Sequence, residues 1–305
     1  MTTLADIGED QFIKQFIQPI AAPLNDDCAW QQSDLRLISC DAFIERVHFT
    51  QDMPADWVGQ KIVRATISDI IASGGIPRAI LFTASMPAHT PVDWLETMLV
   101  GVHEACVRFE VQLIGGDTTA SKEDLMFSVT ALGSSTLGRP ITRAGARVGD
   151  RVLVSGVLGE SAIGLQESLK GSRNEIAAKH FLRPLPIGLV SDTAFLEQVH
   201  AMMDLSDGLV RDVLRMSRAS GVGFHIDLDK VPIPEDGDRE TAWIGGEDYE
   251  LLMCVPSDRV ASLVASAKIL GITLTHIGEV TKEQDVIYRI NGHPYRFSKP
   301  VWDHF

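Results

Sequence analysis

Apolar positions along the chain switch between helical and strand spacing, and the switches outline a series of elements. Phe12, Ile13, Phe16, Ile17 and Ile20 fall at helical intervals, and DLRLISCDAF then predicts a short strand ending at Asp41. In ADWVGQKIVRATISDIIASGG the apolar residues Val58, Ile62, Val63, Ile67, Ile70 and Ile71 predict a long helix, stopped by a Gly-Gly pair and Pro77. RAILFTASMP reads as a buried strand, PVDWLETMLVGVHEACVRF as a helix opened by Pro91, VQLIGGD as a strand with a glycine turn, and LMFSVTALG as a further strand.

The segment SSTLGRPITRAGARVGDR is rich in Gly, Ser, Arg and Pro, and after it a new alternation begins with RVLVSGVLGESAIGL. A boundary at 138–149 follows, with an N-terminal domain over 1–138 and a C-terminal domain over 149–305. The second half predicts the strand and helix of MMDLSDGLVRDVL, the strands GVGFHIDL, YELLMCVP and LTHIGEV, and a closing hairpin turned at Asn291-Gly292. The fold class is α/β (α+β): two mixed-sheet domains with helices.

Composition narrows the function classes. The 305 residues suffice for two domains with their own cores, and 45% apolar with 22% charged residues is a globular balance. The net charge of −14 repels nucleic acid and anionic lipid, so neither is an expected partner. Cys28, Cys40, Cys106 and Cys254 form no C-x-x-C pair, which argues against a zinc knuckle or a disulfide framework and suits a reducing cytosol. The acidic N-terminus and the lack of a long apolar run predict a cytoplasmic protein without a membrane span.

Carboxylates gather where strands end or glycine turns begin: Asp26 and Asp27 in LNDDCAW, Asp41 in ISCDAF, Asp117 in LIGGDTT, Asp204 and Asp207 in MDLSDGL. Each alone has an ordinary reading. Asp204 and Ser206 can be helix N-caps, Asp207 a first-turn carboxylate, Asp26-Asp27 a solvated turn. Asp69 is different, because it sits mid-helix among isoleucines where no cap is needed. Few Lys or Arg lie beside these acids in sequence, so a convergent set would call for a hard divalent cation with oxygen ligands, such as Mg²⁺. SGVLGESAIG can present backbone N–H groups to an anion or simply join a strand to a helix, and Arg143 is a candidate phosphate contact or plain surface. The usual nucleotide motifs, a G-x-S-x-G elbow and His metal spacing are all absent.

NDDCA, SCD, ISDIIASGGIP, LIGGDTT, DLSDGL and GGEDYEL occur in this order over nearly the whole chain, which resembles the thiamine-monophosphate kinase family. That family belongs to a superfamily with aminoimidazole ribonucleotide synthetase and selenophosphate synthetase. The resemblance implies ATP-dependent phosphorylation of thiamine monophosphate with several Mg²⁺ ions, in a homodimer paired through the N-terminal sheet. By position it implies Asp27, Ser39, Cys40, Asp41, Asp69, Asp117, Asp204 and Asp207 as metal ligands. Gly116, Asp117, Arg143 and Ser206 fall on the ATP contacts, and His48, Glu247 and Trp302 on the thiamine monophosphate contacts. Two residues depart from the family: Asn25 stands where Gly is usual, and Cys40 where Thr supplies a hydroxyl. Two alternatives stay open, another ATP-using enzyme of the superfamily and a non-catalytic metal- or nucleotide-binding module.

Overall fold

The computed structural model describes residues 6, 8, 11–20, 26–34, 36–235 and 237–299. Its first half carries β1 (Ala29–Gln31), β2 (Arg36–Ile44), α1 (Ala55–Ala72), β3 (Gly75–Met86), α2 (Val92–Arg108), β4 (Gln112–Ala120) and β5 (Met126–Ser135). The strands form one mixed sheet in the order β1-β2-β5-β3-β4. Only β3 and β4 pair in parallel, as the helical crossover through α2 requires.

Alternation along β2 gives the sheet two unlike faces. Leu37, Ser39, Asp41 and Phe43 turn toward α1, while Cys40 and Ala42 pair on the open face with Thr130 and Ser128. Helix α1 is buried on almost every side, against the sheet, α2 and the second half of the molecule. It crosses α2 at two glycines, where an added Cβ at Gly59 would meet the Met98 carbonyl oxygen at 2.0 Å and one at Gly101 the Asp56 carbonyl oxygen at 1.9 Å.

Residues 136–150 carry no helix or strand and lead into the second half. There the elements are β6 (Arg151–Ser155), α3 (Glu160–Leu169), the short helices α4 (Glu175–Ala178), α5 (Ile187–Val190) and α6 (Thr193–Leu196), β7 (Ala201–Asp204), α7 (Leu209–Ser220), β8 (Gly223–Asp227), α8 (Arg239–Ile244), β9 (Leu251–Val255), α9 (Val260–Ile269), β10 (Leu274–Thr281), β11 (Val286–Ile290) and β12 (His293–Pro294). The seven strands lie in the order β12-β11-β8-β10-β6-β9-β7. Both faces of its β6-β9-β7 side are covered. Leu153, Met202 and Met253 join the core that continues into the first half, and Val154, Met203 and Leu252 face Leu209, Val213 and Met216 of α7.

The α/β architecture agrees with the sequence pattern, as does the hairpin: Asn291 (φ 50°) and Gly292 (φ 76°) take the left-handed conformations that a two-residue turn between Ile290 and His293 needs. Five details differ. β2 runs on past Asp41 to Ile44, paired with β5 throughout, and β4 runs straight through Gly115 and Gly116 to Ala120, so neither Asp41 nor Asp117 ends a strand. β1 was not expected. β3 starts at Gly75, ahead of Pro77, because a register shift between Pro77 and Ala79 accommodates the missing donor. The first helical stretch resolves into a π-type turn at Ile13–Ile17 and a 3-10 turn at Gln18–Ile20, where Pro19 has no amide proton to give.

Candidate active site

Helix α1 is the hub. Lys61, Arg64 and Ser68 stand at i, i+3 and i+7, so they line one face of the helix, and that face points at the second half. Lys61 reaches Glu247 at 2.8 Å, Arg64 donates to the Arg183 carbonyl at 2.7 Å, and Ser68 donates to Asp204 at 2.6 Å. Asp69 follows on the next position and turns toward β2, where it accepts a hydrogen bond from the Ser39 hydroxyl.

Three acids from three segments meet here. Asp27 from the turn before β1, Asp69 from α1 and Asp204 from the end of β7 each offer an oxygen, and these oxygens lie within 4.8 Å of one another. Burial, then the neighbouring acids, pushes the Asp69 and Asp204 carboxyls well above the usual range. Burial also raises Asp27, against the opposing pull of Arg143. Asp27 Oδ2 is buried without a hydrogen-bond partner. Three crowded acids, Asp204 buried and Asp27 and Asp69 partly so, with one orphaned oxygen among them and only hard oxygen donors, suit a divalent cation of the Mg²⁺ kind.

The other sequence candidates divide into groups. Asp41 lies on the same sheet face as Ser39, its carboxyl raised by burial and partly offset by a hydrogen bond from Thr66. Asp207 pairs with Arg215 and lies 3.8 Å from Arg211, so its charge is already met by guanidinium groups; its backbone N–H donates to Asp212. The scarcity of cations that the sequence suggested is therefore not what folding produces, since Arg143 bonds Asp27 and its N–H donates to Asp26. Arg143 is largely buried, so the surface reading of it is excluded. Nor do Asp204 and Ser206 cap a helix: α7 starts at Leu209 with Gly208 at the cap position and no side-chain cap bond.

Cys40 and Asp117 stand apart from the triad. The Cys40 side chain lies on the open face of the N-terminal sheet, 3.5 Å from the Ser128 hydroxyl, while Ser39 and Asp41 turn to the other face. Through the pairing of Thr83 with both Ser128 and Asp117, Asp117 belongs to that open face too, on the exposed edge strand β4. Gly116 beside it is dictated by closeness, since a Cβ there would fall 1.7 Å from the Phe82 carbonyl oxygen. Trp302 lies outside the described residues.

Two cavities adjoin the acids. One, of about 930 Å³, runs from Asp41, Asp69 and Asp204 past Ser206 to His48, His180 and Glu247. The other, of about 1510 Å³, runs from the same Asp41 and Asp69 to Asp27 and Arg143. Cys40, Ser206 and Arg215 border both. Glu247 is presented by the segment after α8 and sits at φ 65°, held by its own N–H to the Ser206 carbonyl at 2.7 Å. Burial raises its carboxyl, yet the Lys61 ammonium and His180 outweigh that and hold it below its usual value. The amides at the start of α3, the sequence's possible anion site, are taken by the protein's own Asp248, which accepts from Gly159 at 2.6 Å and Ser161 at 3.2 Å.

Sequence reasoning missed Lys61, His180 and Arg215. The polar stripe at i, i+3 and i+7 on an otherwise apolar α1 was the available signal for Lys61; nothing local marked His180.

This pairing of sheets and this acid-lined junction fall in the AIR synthase related class: its N-terminal domain matches residues 25–135 and its C-terminal domain residues 147–291. Among curated proteins, the thiamine-monophosphate kinase of Escherichia coli O157:H7 is 32% identical, covering 92% of this chain and 91% of that one. That of Aquifex aeolicus (strain VF5) is 30% identical over 99% and 98%. A solved structure, AaThiL complexed with AMPPCP and TMP, superposes with a TM-score of 0.88 at 29% identity, covering 100% of this chain and 99% of that one. The chain belongs to the thiamine-monophosphate kinase family. Among the described residues no helix is long and apolar enough to cross a membrane.

Proposed function

We propose that this chain transfers the γ-phosphoryl group of ATP directly to the phosphate of thiamine monophosphate, giving thiamine diphosphate. The observation that carries the reading is the junction itself: two cavities meet over Asp41 and Asp69, with the Asp27–Asp69–Asp204 triad between them. A relative's structure complexed with AMPPCP and TMP supports two phosphate-bearing ligands in such a site. The cavity with Arg143 suits the nucleotide, Arg143 and Ser206 being its contacts. The cavity with His48 and Glu247 suits the thiamine rings, where an ionised carboxylate complements a cationic thiazolium.

Two polyanions in an acidic pocket repel, by about 4 kcal/mol for unit charges 4 Å apart at an effective dielectric near 20. Asp27, Asp69 and Asp204 would hold Mg²⁺, with Ser39 fixing the rotamer of Asp69 and Ser68 that of Asp204. When bound, the metal supplies charge neutralisation between the two phosphates and the carboxylates. Arg143 and Arg215 add fixed positive charge at the rim of the triad. No protein base is required, because a phosphate monoester with a second pKa of about 6 is already mostly dianionic at neutral pH. What the chain contributes is in-line alignment of donor and acceptor. Asp41, on the sheet face that Ser39 shares, completes the proposed ligand set; Asp117, on the open face, and Asp207, already paired with guanidinium groups, lie outside it.

Incubation with ATP, Mg²⁺ and thiamine monophosphate should yield thiamine diphosphate and ADP, with product at background when EDTA is in excess; no diphosphate at saturating substrates removes the assignment. The open edge strand β4, exposed along its whole length with Leu113 and Ile114 half-exposed, supports a homodimer formed through this sheet. Light scattering should then give twice the 33.3 kDa chain mass, and a monomer at assay concentration would refute the pairing.

A further inference from the structure

Beyond the metal cluster, one buried charge network is unused by the phosphoryl chemistry. Lys61 is 2% exposed in the middle of α1, an expensive place for an ammonium unless every donor is met. All are: its Nζ lies 3.0 Å from the His48 carbonyl oxygen, 2.9 Å from His180 Nε2 and 2.8 Å from Glu247 Oε1. An ammonium has three protons, so none is left for a ligand. His180 Nε2 must therefore accept, which puts the imidazole proton on Nδ1, 2.9 Å from the Ser161 hydroxyl. The partners come from both halves of the molecule, with His48 and α1 on one side and His180, Ser161 and Glu247 on the other. Glu247 pairs its own carboxylate with the ammonium and presents it, half-buried at 27% accessible, on the cavity wall, whereas His48 pairs only through its carbonyl.

We propose that Lys61 is a positioning residue for substrate recognition: its saturated ammonium, with His180 as neutral acceptor, fixes the Glu247 carboxylate in the first cavity and ties it to His48 across the two halves. The inference rests on the assignment of that cavity to thiamine monophosphate. It explains why a non-glycine residue tolerates the left-handed conformation at Glu247, which its paired carboxylate helps to hold. Burial, then the Lys61 charge, holds the His180 imidazole down at about 3, so it is neutral at any working pH and serves only as an acceptor. Removing Lys61 leaves burial, the larger cause, in place, so His180 remains an acceptor and Glu247 loses its cation.

The test is steady-state kinetics of Lys61→Met, His180→Gln and the double variant, with melting curves to verify folding. For K61M the KM for thiamine monophosphate should rise about 30-fold near pH 8, with kcat and the KM for ATP changed less than about threefold. H180Q alone should change KM little, because the amide oxygen accepts from Lys61, and K61M/H180Q should be no worse than K61M, because His180 acts through the ammonium. Lys61→Gln, which fills the space and keeps a donor, should recover part of the KM and serves if K61M does not fold. A K61M enzyme with unchanged KM, a loss confined to kcat, or a double variant about tenfold worse than K61M would overturn the proposal. Absence of turnover in the unsubstituted enzyme would instead strike at the assigned reaction.

Discussion

Asp69→Asn should lower kcat by about a thousandfold while leaving the fold intact, a magnitude in line with loss of a principal electrostatic contact to the transferring phosphoryl group. The residue sits where the Asp27, Asp41 and Asp204 charges all act on it, and each raises its carboxyl in addition to burial. Asn keeps the shape and can still accept from Ser39, but it withdraws one negative charge from the triad. Without metal, that relieves repulsion, so the variant should melt no lower than the unsubstituted protein and gain less on addition of Mg²⁺. The two readouts together separate a functional acid from a structural one. If kcat stays within about tenfold, or if the melting temperature drops while the metal response persists, Asp69 is not a metal ligand.

The largest effect on stability is expected at Arg183. Its guanidinium is 3% exposed and donates to the Asp248 carbonyl at 2.8 Å, the Val157 carbonyl at 2.8 Å, Glu160 at 2.7 Å and Glu250 at 2.9 Å. Asp248, already raised to about 7 by burial in spite of this arginine, caps the start of α3, and Glu250 bonds Ser155 of β6. Arg183→Met removes the only guanidinium shared by these acids and leaves them buried, so unfolding in urea should show a loss of about 3–5 kcal/mol. Adding Glu250→Gln to the same chain should restore part of it, since the uncompensated charge is the cause. A loss under about 1 kcal/mol would mean that water already solvates the network. Residues 181–186 carry no helix or strand, so this arginine is what anchors the segment beside Asp248.

Much of this was legible in the sequence, and for identifiable reasons. The Ile-rich period of α1 fixed a buried helix, and within it an acid with no capping duty pointed to a site. The two-residue turn at Asn291-Gly292 was legible because only a few residue types accept both of its dihedral angles. Less visible was anything set by the packing of one half on the other. Arg143 and Arg215 are remote in sequence from Asp27, so the acids looked unpaired when they are partly paired. Asp204 and Ser206, taken singly, read first as caps, and only the start of α7 at Leu209, with Ser68 bonded to Asp204, decides against that. Cys40 and Asp41 are adjacent in sequence yet on opposite sheet faces, a consequence of the strand's period of two. Lys61 was hidden because a lysine in a helix usually reaches solvent, and its burial depends on His180 and Glu247 arriving from the other half.

The central claim is that the buried acids, through a divalent cation, let two phosphate-bearing ligands occupy adjoining cavities at once. Calorimetric titration of thiamine monophosphate into protein saturated with AMPPCP, with and without Mg²⁺, measures that coupling. The account predicts binding at least about tenfold tighter with Mg²⁺, and loss of that gain in Asp69→Asn. Equal affinity with and without the metal, in a protein that binds both ligands, would contradict it.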